Sequence, residues 1–479
     1  MVFMEPLTVV RVSRIRSFEL VMHHRFAYLK MFRYLEELSM EIKFKNISEV
    51  IYSHLKKDEL LTLSFTGEES QFIRLNNAKI RQTGLVHDAD IHMKMIANGR
   101  TCTGSFTLSG NDDMDTKRAG VEIERMRLES TQILEDPYLI IPEGSGSSRE
   151  IKNSNGLNFK DAVDAILPAV QGVDFVGILS NGKMYRGNSN SLGQEHWFET
   201  ESFSLDYSLV ATNHQMVKGT FAGTDWDQNE YEGYLKQSKK KLELMELSPV
   251  KLETGNYKTW FEPAAVSDFL SMFSWNGISE ASIQQGCSGF GKMRNENVRL
   301  SSKFSISEDF SLGLVPKFNS DGEVSAEELK IISSGELKNT LISSRTANEY
   351  NRTSNFAESG EYLRSPFMEP GSLDQSDVLK QIDKGLYLSN IHYLNWSDNP
   401  NGRITGLTRY ACFWVENSEI VGPINTMRFD DSFYNYFGDN LLAVGNKTEF
   451  IPNTSTYGNR EIGGTTCPGI LADSFALTL

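Results

Sequence analysis

Cysteine is scarce in this sequence. The four in 479 residues, Cys102, Cys287, Cys412 and Cys467, lie far apart with no C-x-x-C pair. That spacing excludes a disulfide-stapled secreted fold and a zinc ribbon, and it reads as reduced thiols in the cytoplasm. Histidine is sparse too. The eight are His23, His24, His54, His87, His92, His196, His214 and His392; no two stand in the H-E-x-x-H relation that mounts zinc on one helix face, so each reads as structural or exposed. Long apolar runs are missing, and nothing approaches the roughly 18 residues of a membrane span. Positive charge is in deficit, with 48 Lys and Arg against 63 Asp and Glu and a net charge of −15. Such a surface repels phosphate backbones and disfavours general nucleic-acid binding. The largest basic run, "KQSKKK" at 236–241, sits in a helical pattern and reads as a solvated face.

One stretch imitates a nucleotide site. In "SIQQGCSGFGKMRNENV" (282–298), Gly286, Gly291 and Lys292 give G-x-x-x-x-G-K, but Met293 stands where a P-loop needs Ser or Thr for magnesium. The flanks are a polar stretch before and a strand-like alternation after, instead of a buried strand and a helix whose N-terminus faces phosphate. The match reads as chance. Cys287 lies in this glycine-rich loop, where a thiolate would be exposed; it needs a base, and His392 is the candidate if folding brings it near. There is no G-x-S-x-G elbow. Adjacent acids such as Glu308–Asp309 and Asp430–Asp431 read as solvated.

The order of elements repeats. Asn46–Glu49, "NISE", reads as a helix start of capping-box type. A strand "LLTLSFTG", a hairpin at Asn76–Asn77, the alternating "ADIHMKMIANG" and "CTGSFTLSGNDD" follow, then a polar helix to about Leu134. From Asn158 the order returns, and Asn213-x5-Gly219-Thr220-Phe221 repeats Asn98-x5-Gly104-Ser105-Phe106. The period is about 115 residues (213 − 98), too long for a solenoid and suited to a duplicated α-β-β-β-α unit. Gly104 and Gly219 read as turn glycines, and "PEGSGSSREIKNSNG" (142–156) as a flexible joint. After "GNYKTWFEP" and a helix in "AAVSDFLSMFSW", short alternating segments predict an antiparallel, barrel-like domain. The expected organisation is an α+β chain: an N-terminal extension over 1–40, poorly ordered and ahead of a start at Met40; a two-repeat α+β domain over 41–245; and a β-rich domain over 246–479.

The whole pattern resembles the TldD/PmbA family, once called modulators of DNA gyrase, and within it the TldE/PmbA branch. The resemblance runs from about Ile42 to the C-terminus. It rests on "FIRLNNAKIRQTG" with "MKMIANGRTCTGSF", "ETGNYKTWFEPAAVSDFL", "FNSDGEVSAEELKIISSGELKNTLISSRTANEYN", and "KGLYLSNIHYLNW" with "GLTRYACFWVENSEIVGPINTMRFDDS". In this family a TldD-type subunit carries H-E-x-x-x-H on the helix after the junction strand; two His and a C-terminal Cys hold zinc, and the Glu is the general base. By position the two His places fall near Ser271 and Asn276, the Glu place near Met272, and Cys467 in "GGTTCPG" resembles the C-terminal Cys. The segment Asn395–Gly406 departs from the family's N-P-x-T-G pattern.

The resemblance therefore implies a subunit with no catalytic residue, metal ligand set or cofactor of its own, paired with a TldD-like zinc protease subunit as a heterodimer. Zinc is expected only in that partner, the substrate is an unfolded or modified peptide, and neither nucleic acid nor membrane is a partner. Two alternatives stand beside it: a stand-alone homodimeric peptide-binding scaffold, and a metal-independent thiol hydrolase using Cys287.

Overall fold

The computed structural model describes residues 39–144 and 146–479; the extension expected over 1–40 lies outside the described residues except for its last two positions. The first helix, α1 (Met40–Ser53), starts six residues before Asn46. Ser39 caps it by accepting the Ile42 amide, and Met40, Phe44, Ile47 and Ile51 form its buried stripe. That continuous apolar face outweighs the local capping signal at "NISE", which sits mid-helix.

Three long strands follow, β1 (Leu60–Asn76), β2 (Lys79–Ala97) and β3 (Arg100–Thr107), then α2 (Asp112–Glu129). Asn77 and Ala78 take φ of 50° and 52° at the β1–β2 tip, which a primed hairpin turn requires. After β4 (Ser147–Lys152) and the short α3 (Ala162–Ile166) come β5 (Asp174–Asn190), β6 (Glu195–Val210), β7 (Met216–Gly223) and α4 (Gln228–Met245). Pro168 lacks the amide to extend α3, and one 3₁₀ turn follows it over Pro168–Val170. The duplicated order is thus present in one seven-stranded sheet, β3-β2-β1-β5-β6-β4 with β7 on β6.

Two expectations need correction. The joint between the repeats is not wholly a free linker, because Ser147–Lys152 pairs in parallel with β6 along its length. Gly104 and Gly219 are not turn residues but lie inside β3 and β7. A Cβ at Gly219 would stand 2.5 Å from the Tyr207 ring, and one at Gly104 2.8 Å from Glu122 of α2, so both permit close packing.

In β1, β2, β5 and β6 most core side chains are odd-numbered, and in β3, where Cys102 pairs with Met95, the core side is even-numbered. Leu61, Leu63 and Phe65 of β1 and Ile91 and Met93 of β2 meet Phe44 and Ile123; Phe175, Leu205 and Tyr207 meet Leu235 of α4. The alternate side chains share the opposite face, as period-two geometry requires.

The second domain begins at β8 (Gly255–Phe261), followed by α5 (Pro263–Ser274) and short helices α6 (Glu280–Gln284) and α7 (Gly291–Asn295). Next come β9 (Ile306–Asp309), β10 (Glu328–Ser333), β11 (Glu336–Leu337), α8 (Ser344–Tyr350), β12 (Pro366–Met368) and α9 (Val378–Ile382). The remaining strands are β13 (Gly385–Asp398), β14 (Arg403–Glu416), β15 (Glu419–Pro423), β16 (Arg428–Ser432), β17 (Leu441–Pro452) and β18 (Gly464–Leu477). Strands β18, β16, β14, β13 and β8 pair in turn, and β8 pairs back to β18, so the sheet closes into a barrel. It is mostly antiparallel, with parallel pairings at β8–β13 and β12–β18.

Helix α5 packs on β13 and β18 and buries Val266, Phe269, Leu270 and Phe273 completely or nearly so. Trp260, Tyr387, Phe413 and Leu471 of the barrel join the core of the second repeat around Leu235 and Met245, so one core crosses between the domains. Among the described residues no helix is long and apolar enough to cross a membrane.

Candidate functional site

Glu262 is the residue immediately before α5, and Pro263 is the helix's first position, where its missing amide costs nothing. The Glu262 amide donates to Leu388 O at 2.9 Å, fixing the helix entry against β13. Its carboxylate meets Lys241 of α4, with Nζ at 2.5 Å from Oε1 and 2.7 Å from Oε2, and Tyr387 OH of β13 donates to Oε1. Burial first, then the negative Glu262, pushes the Tyr387 phenol well above its ordinary value, so it stays a donor. One carboxylate thus joins the first domain's last helix to the second domain's first helix and a barrel strand.

A cavity of about 260 Å³ opens beside this cluster, lined by Lys218, Thr220, Lys241, Glu262, Tyr387 and Glu449 among others. Lys218 is paired with Asp206 at 2.5 Å, and Thr220 donates to the same oxygen at 2.7 Å. Water reaches Glu449, yet protein encloses most of it; that desolvation, then the negative Glu262, raises its carboxyl. Asp268, one turn into α5, is pushed up to about 7 by burial, against the Ile391 amide and the Lys218 charge.

Cys467 lies opposite the first turn of α5. It is fully buried, and its thiol donates to Pro263 O at 3.3 Å. Burial, then the negative charges of Glu449 and Asp268, push it well above the usual thiol range. At neutral pH it is therefore a thiol, whereas zinc binding and nucleophilic attack need a thiolate. Ser271, Met272 and Asn276 are not brought to it. At 1.5 Å per residue, Ser271 and Met272 lie roughly 12–13 Å along the helix from Pro263. Ser271 is exposed and donates back to Asp268 O, Met272 is in the barrel core, and Asn276 follows the helix with a left-handed φ of 57°. The helix residues next to Cys467 are those of the first turns, Pro263 and Asp268. Among the described residues, no three His, Cys, Asp or Glu side chains converge in a metal-binding arrangement. The groups present do not suit a divalent cation: Glu262 already neutralises an ammonium and accepts a phenol proton, and Cys467 is sealed on a carbonyl.

Cys287 is exposed, and its thiol has one weak contact, Gln285 O at 3.7 Å. Asn399 at the β13–β14 turn donates to Cys287 O at 2.5 Å. His392 lies seven residues earlier on β13, roughly 20 Å along an extended strand, with its ring on Tyr393. The fold does not bring this base to that thiol. The P-loop-like motif is preceded by helix α6 instead of a strand. It is followed by the five-residue α7, where a strand-like run is expected from sequence.

The sequence does not single out Lys241, because "KQSKKK" reads as solvated. In the fold Tyr231, Leu235, Ser238 and Met245 are the buried stripe of α4, so Lys241, three residues after Ser238, points along the same side to Glu262. Lys239 reaches Ala169 O at 2.6 Å. The helical period carries this signal; the charge run masks it.

With this geometry in place, comparisons add the following. The sequence model of the PmbA/TldA metallopeptidase C-terminal domain matches residues 254–479. No curated protein matches the chain. Among solved structures, a protein from Thermotoga maritima described as a modulator of DNA gyrase is similar at 17% identity and TM-score 0.72, covering 91% of this chain and 100% of its own. TldE from Thermococcus kodakarensis is similar at 15% identity and TM-score 0.71, with 91% and 100% covered. A second modulator of DNA gyrase, from Bacteroides thetaiotaomicron, gives 14% and 0.72, with 92% and 99% covered. At these identities the structures establish a shared fold.

Proposed function

The chain belongs to the TldD/PmbA family, matched through its metallopeptidase-related C-terminal domain, and from that premise we propose that it is the non-catalytic, TldE-like subunit of a two-subunit zinc peptidase acting on unfolded or modified peptides. The observation that supports this most is the cluster at the start of α5. Where a metallopeptidase of this architecture needs neutral imidazoles and a thiolate, this chain has Glu262 tied to Lys241 and Tyr387, then Pro263, beside a protonated Cys467. An ammonium covalently tethered on α4 supplies the positive charge. The cluster then serves as a joint between the domains, and the water-activating chemistry belongs to a partner.

The test is direct. The purified chain is assayed for bound zinc and for cleavage of an unstructured peptide, alone and with a family member that carries H-E-x-x-x-H. The expected result is no stoichiometric zinc, no cleavage alone, and chelator-sensitive cleavage with the partner. Stoichiometric zinc in this chain, or chelator-sensitive cleavage by it alone, overturns the reading. Recovery of only self-contacts on native co-purification favours a homodimeric scaffold instead.

A further inference from the structure

Strand β5 carries Arg186 opposite Thr66 of β1, on the face of the first sheet turned away from its apolar core. It is partly buried, and a guanidinium in that position ordinarily meets a carboxylate. Among the described residues Arg186 has no ion pair. Its Nη1 donates to Tyr185 O at 2.8 Å and its Nη2 reaches Arg460 O at 3.5 Å. These carbonyls fix the guanidinium and leave the rest of its donor fork unused. Burial lowers it to about 10, and the charge of Glu68, then that of Glu461, opposes this, so it stays charged at neutral pH. Glu68 does not neutralise it, because the same carboxylate also balances the buried Arg460, whose amide donates to Oε1 at 3.1 Å.

Arg186 lines a cavity of about 480 Å³ roofed by loops of the second domain, a size that suits a small ligand. It is a discrete pocket. On one side Ser64 donates to Ser320 O at 2.8 Å, and on the other Arg460 is bonded to Ser70, Gly182 O and Ser202. The buried Val315, Phe318 and Leu363 give it an apolar wall. Two further charged groups of the lining are already committed. Glu358 accepts from the Ser320 amide at 3.1 Å and from its hydroxyl, and Arg364 donates to Phe318 O at 2.8 Å and Ser325 Oγ at 2.7 Å. Glu461 is not committed. It is exposed at the rim, and among the described residues its carboxylate has neither an ion pair nor a hydrogen bond. Its backbone is held by its own amide on Ser455 O at 3.2 Å and by the buried Arg460 beside it. A fixed cation on the floor and an anion on an anchored loop thus face one space without meeting.

We propose that this pocket binds a free α-amino acid with an aliphatic side chain, its carboxylate on Arg186, its ammonium on Glu461 and its side chain against Val315, Phe318 and Leu363. The paired charges select a zwitterion. A simple anion leaves Glu461 without a partner, and a simple cation leaves Arg186 without one. A peptide bond at either end of the ligand removes one of its two charges, so the pocket prefers the free amino acid to a chain. The inference goes beyond the subunit reading: it needs neither zinc nor a partner and uses no residue of the Glu262 cluster.

The experiment uses the full chain and isothermal titration calorimetry with three ligands: L-leucine, leucinamide, which lacks the carboxylate, and 4-methylpentanoate, which lacks the ammonium. L-leucine is expected to bind with a Kd below about 1 mM, and each analogue about tenfold more weakly, as for one lost charge-assisted hydrogen bond. Glu461→Gln should weaken L-leucine about tenfold and leave 4-methylpentanoate unchanged, whereas Arg186→Gln should weaken L-leucine by at least as much and leave leucinamide unchanged. Thermal melts establish that each variant is folded. Glu461 is exposed, so a folding defect in Arg186→Gln leaves Glu461→Gln with the three ligands decisive. No binding of L-leucine up to about 10 mM, equal binding of all three ligands by wild type, or an unchanged L-leucine affinity in either folded variant overturns the site.

Discussion

Replacing Glu280 by Gln tests how the α5-to-α7 segment is held. Glu280 is fully covered, close beneath the surface. It accepts from Arg294 Nη2 at 2.8 Å, Thr340 Oγ1 at 2.5 Å and Gln284 Nε2 at 2.8 Å, with Arg352 at 3.5 Å. Burial alone would raise its carboxyl, but the hydrogen bonds from Arg294, Thr340 and Gln284 and the Arg294 charge outweigh it and hold the group at about 2 against an ordinary 4.5. At about 1.4 kcal/mol per pH unit that difference corresponds to roughly 3 kcal/mol. Arg294 and Arg352 are a third to a half exposed, so solvent screening leaves about 2 kcal/mol. Because the folded value is depressed, this stability is fully present above pH 4.5 and is lost as pH falls towards 2. Glu280→Gln should therefore lower the melting temperature of the second domain by about 4–8 °C at neutral pH. The gap to wild type should shrink to less than half at about pH 3. An equal gap at both pH values, or none at neutral pH, refutes the electrostatic account.

Other outcomes follow from the same contacts. Lys241→Met leaves Glu262 uncompensated between the domains and should cost about 2–4 kcal/mol, whereas Lys241→Met with Glu262→Gln should recover at least half; a double-mutant cycle by denaturant unfolding measures this. Asp268→Asn should stabilise the protein by about 1–3 kcal/mol near pH 8 and by little near pH 4. A raised folded value means that wild type loses stability as pH climbs from the unfolded value to about 7. In a native thiol titration Cys287 should react at once, and Cys102, Cys412 and Cys467 only on unfolding, since only the first is exposed. Gly322→Ala should loosen the domain seam by about 2 kcal/mol or more, read as faster proteolysis of the 312–325 loop. At its φ of 82° the new Cβ would stand 2.4 Å from Gln194 Oε1 and 2.5 Å from Asn188 Oδ1.

Much of the architecture was legible because it is local. Two-residue alternation marked the strands, the Asn98 and Asn213 motifs exposed the duplication, and Pro263 followed by apolar residues at helical spacing located α5. Short barrel strands were less legible: "NVRLSSKFSIS" contributes only Ile306 and Ser307 to β9, and "LKNTLISS" only the end of β11. Such short runs earn their pairing from neighbours distant in the chain, which local pattern cannot report.

The sequence by itself determined the family resemblance, the repeat, and which side chains share a face, since these depend on residue order and backbone period alone. The tertiary structure decided what covers each face and which distant groups meet. It placed Lys241 on Glu262, set Cys467 against Pro263 instead of near Ser271 or Asn276, kept His392 away from Cys287, and roofed a hydroxyl-bearing sheet face with loops more than 100 residues further along, Ser64 meeting Ser320. The physical reason is common to all of these. Period two and period 3.6 fix a side chain's direction relative to its own element, while its partner and its solvent exposure depend on how the elements pack.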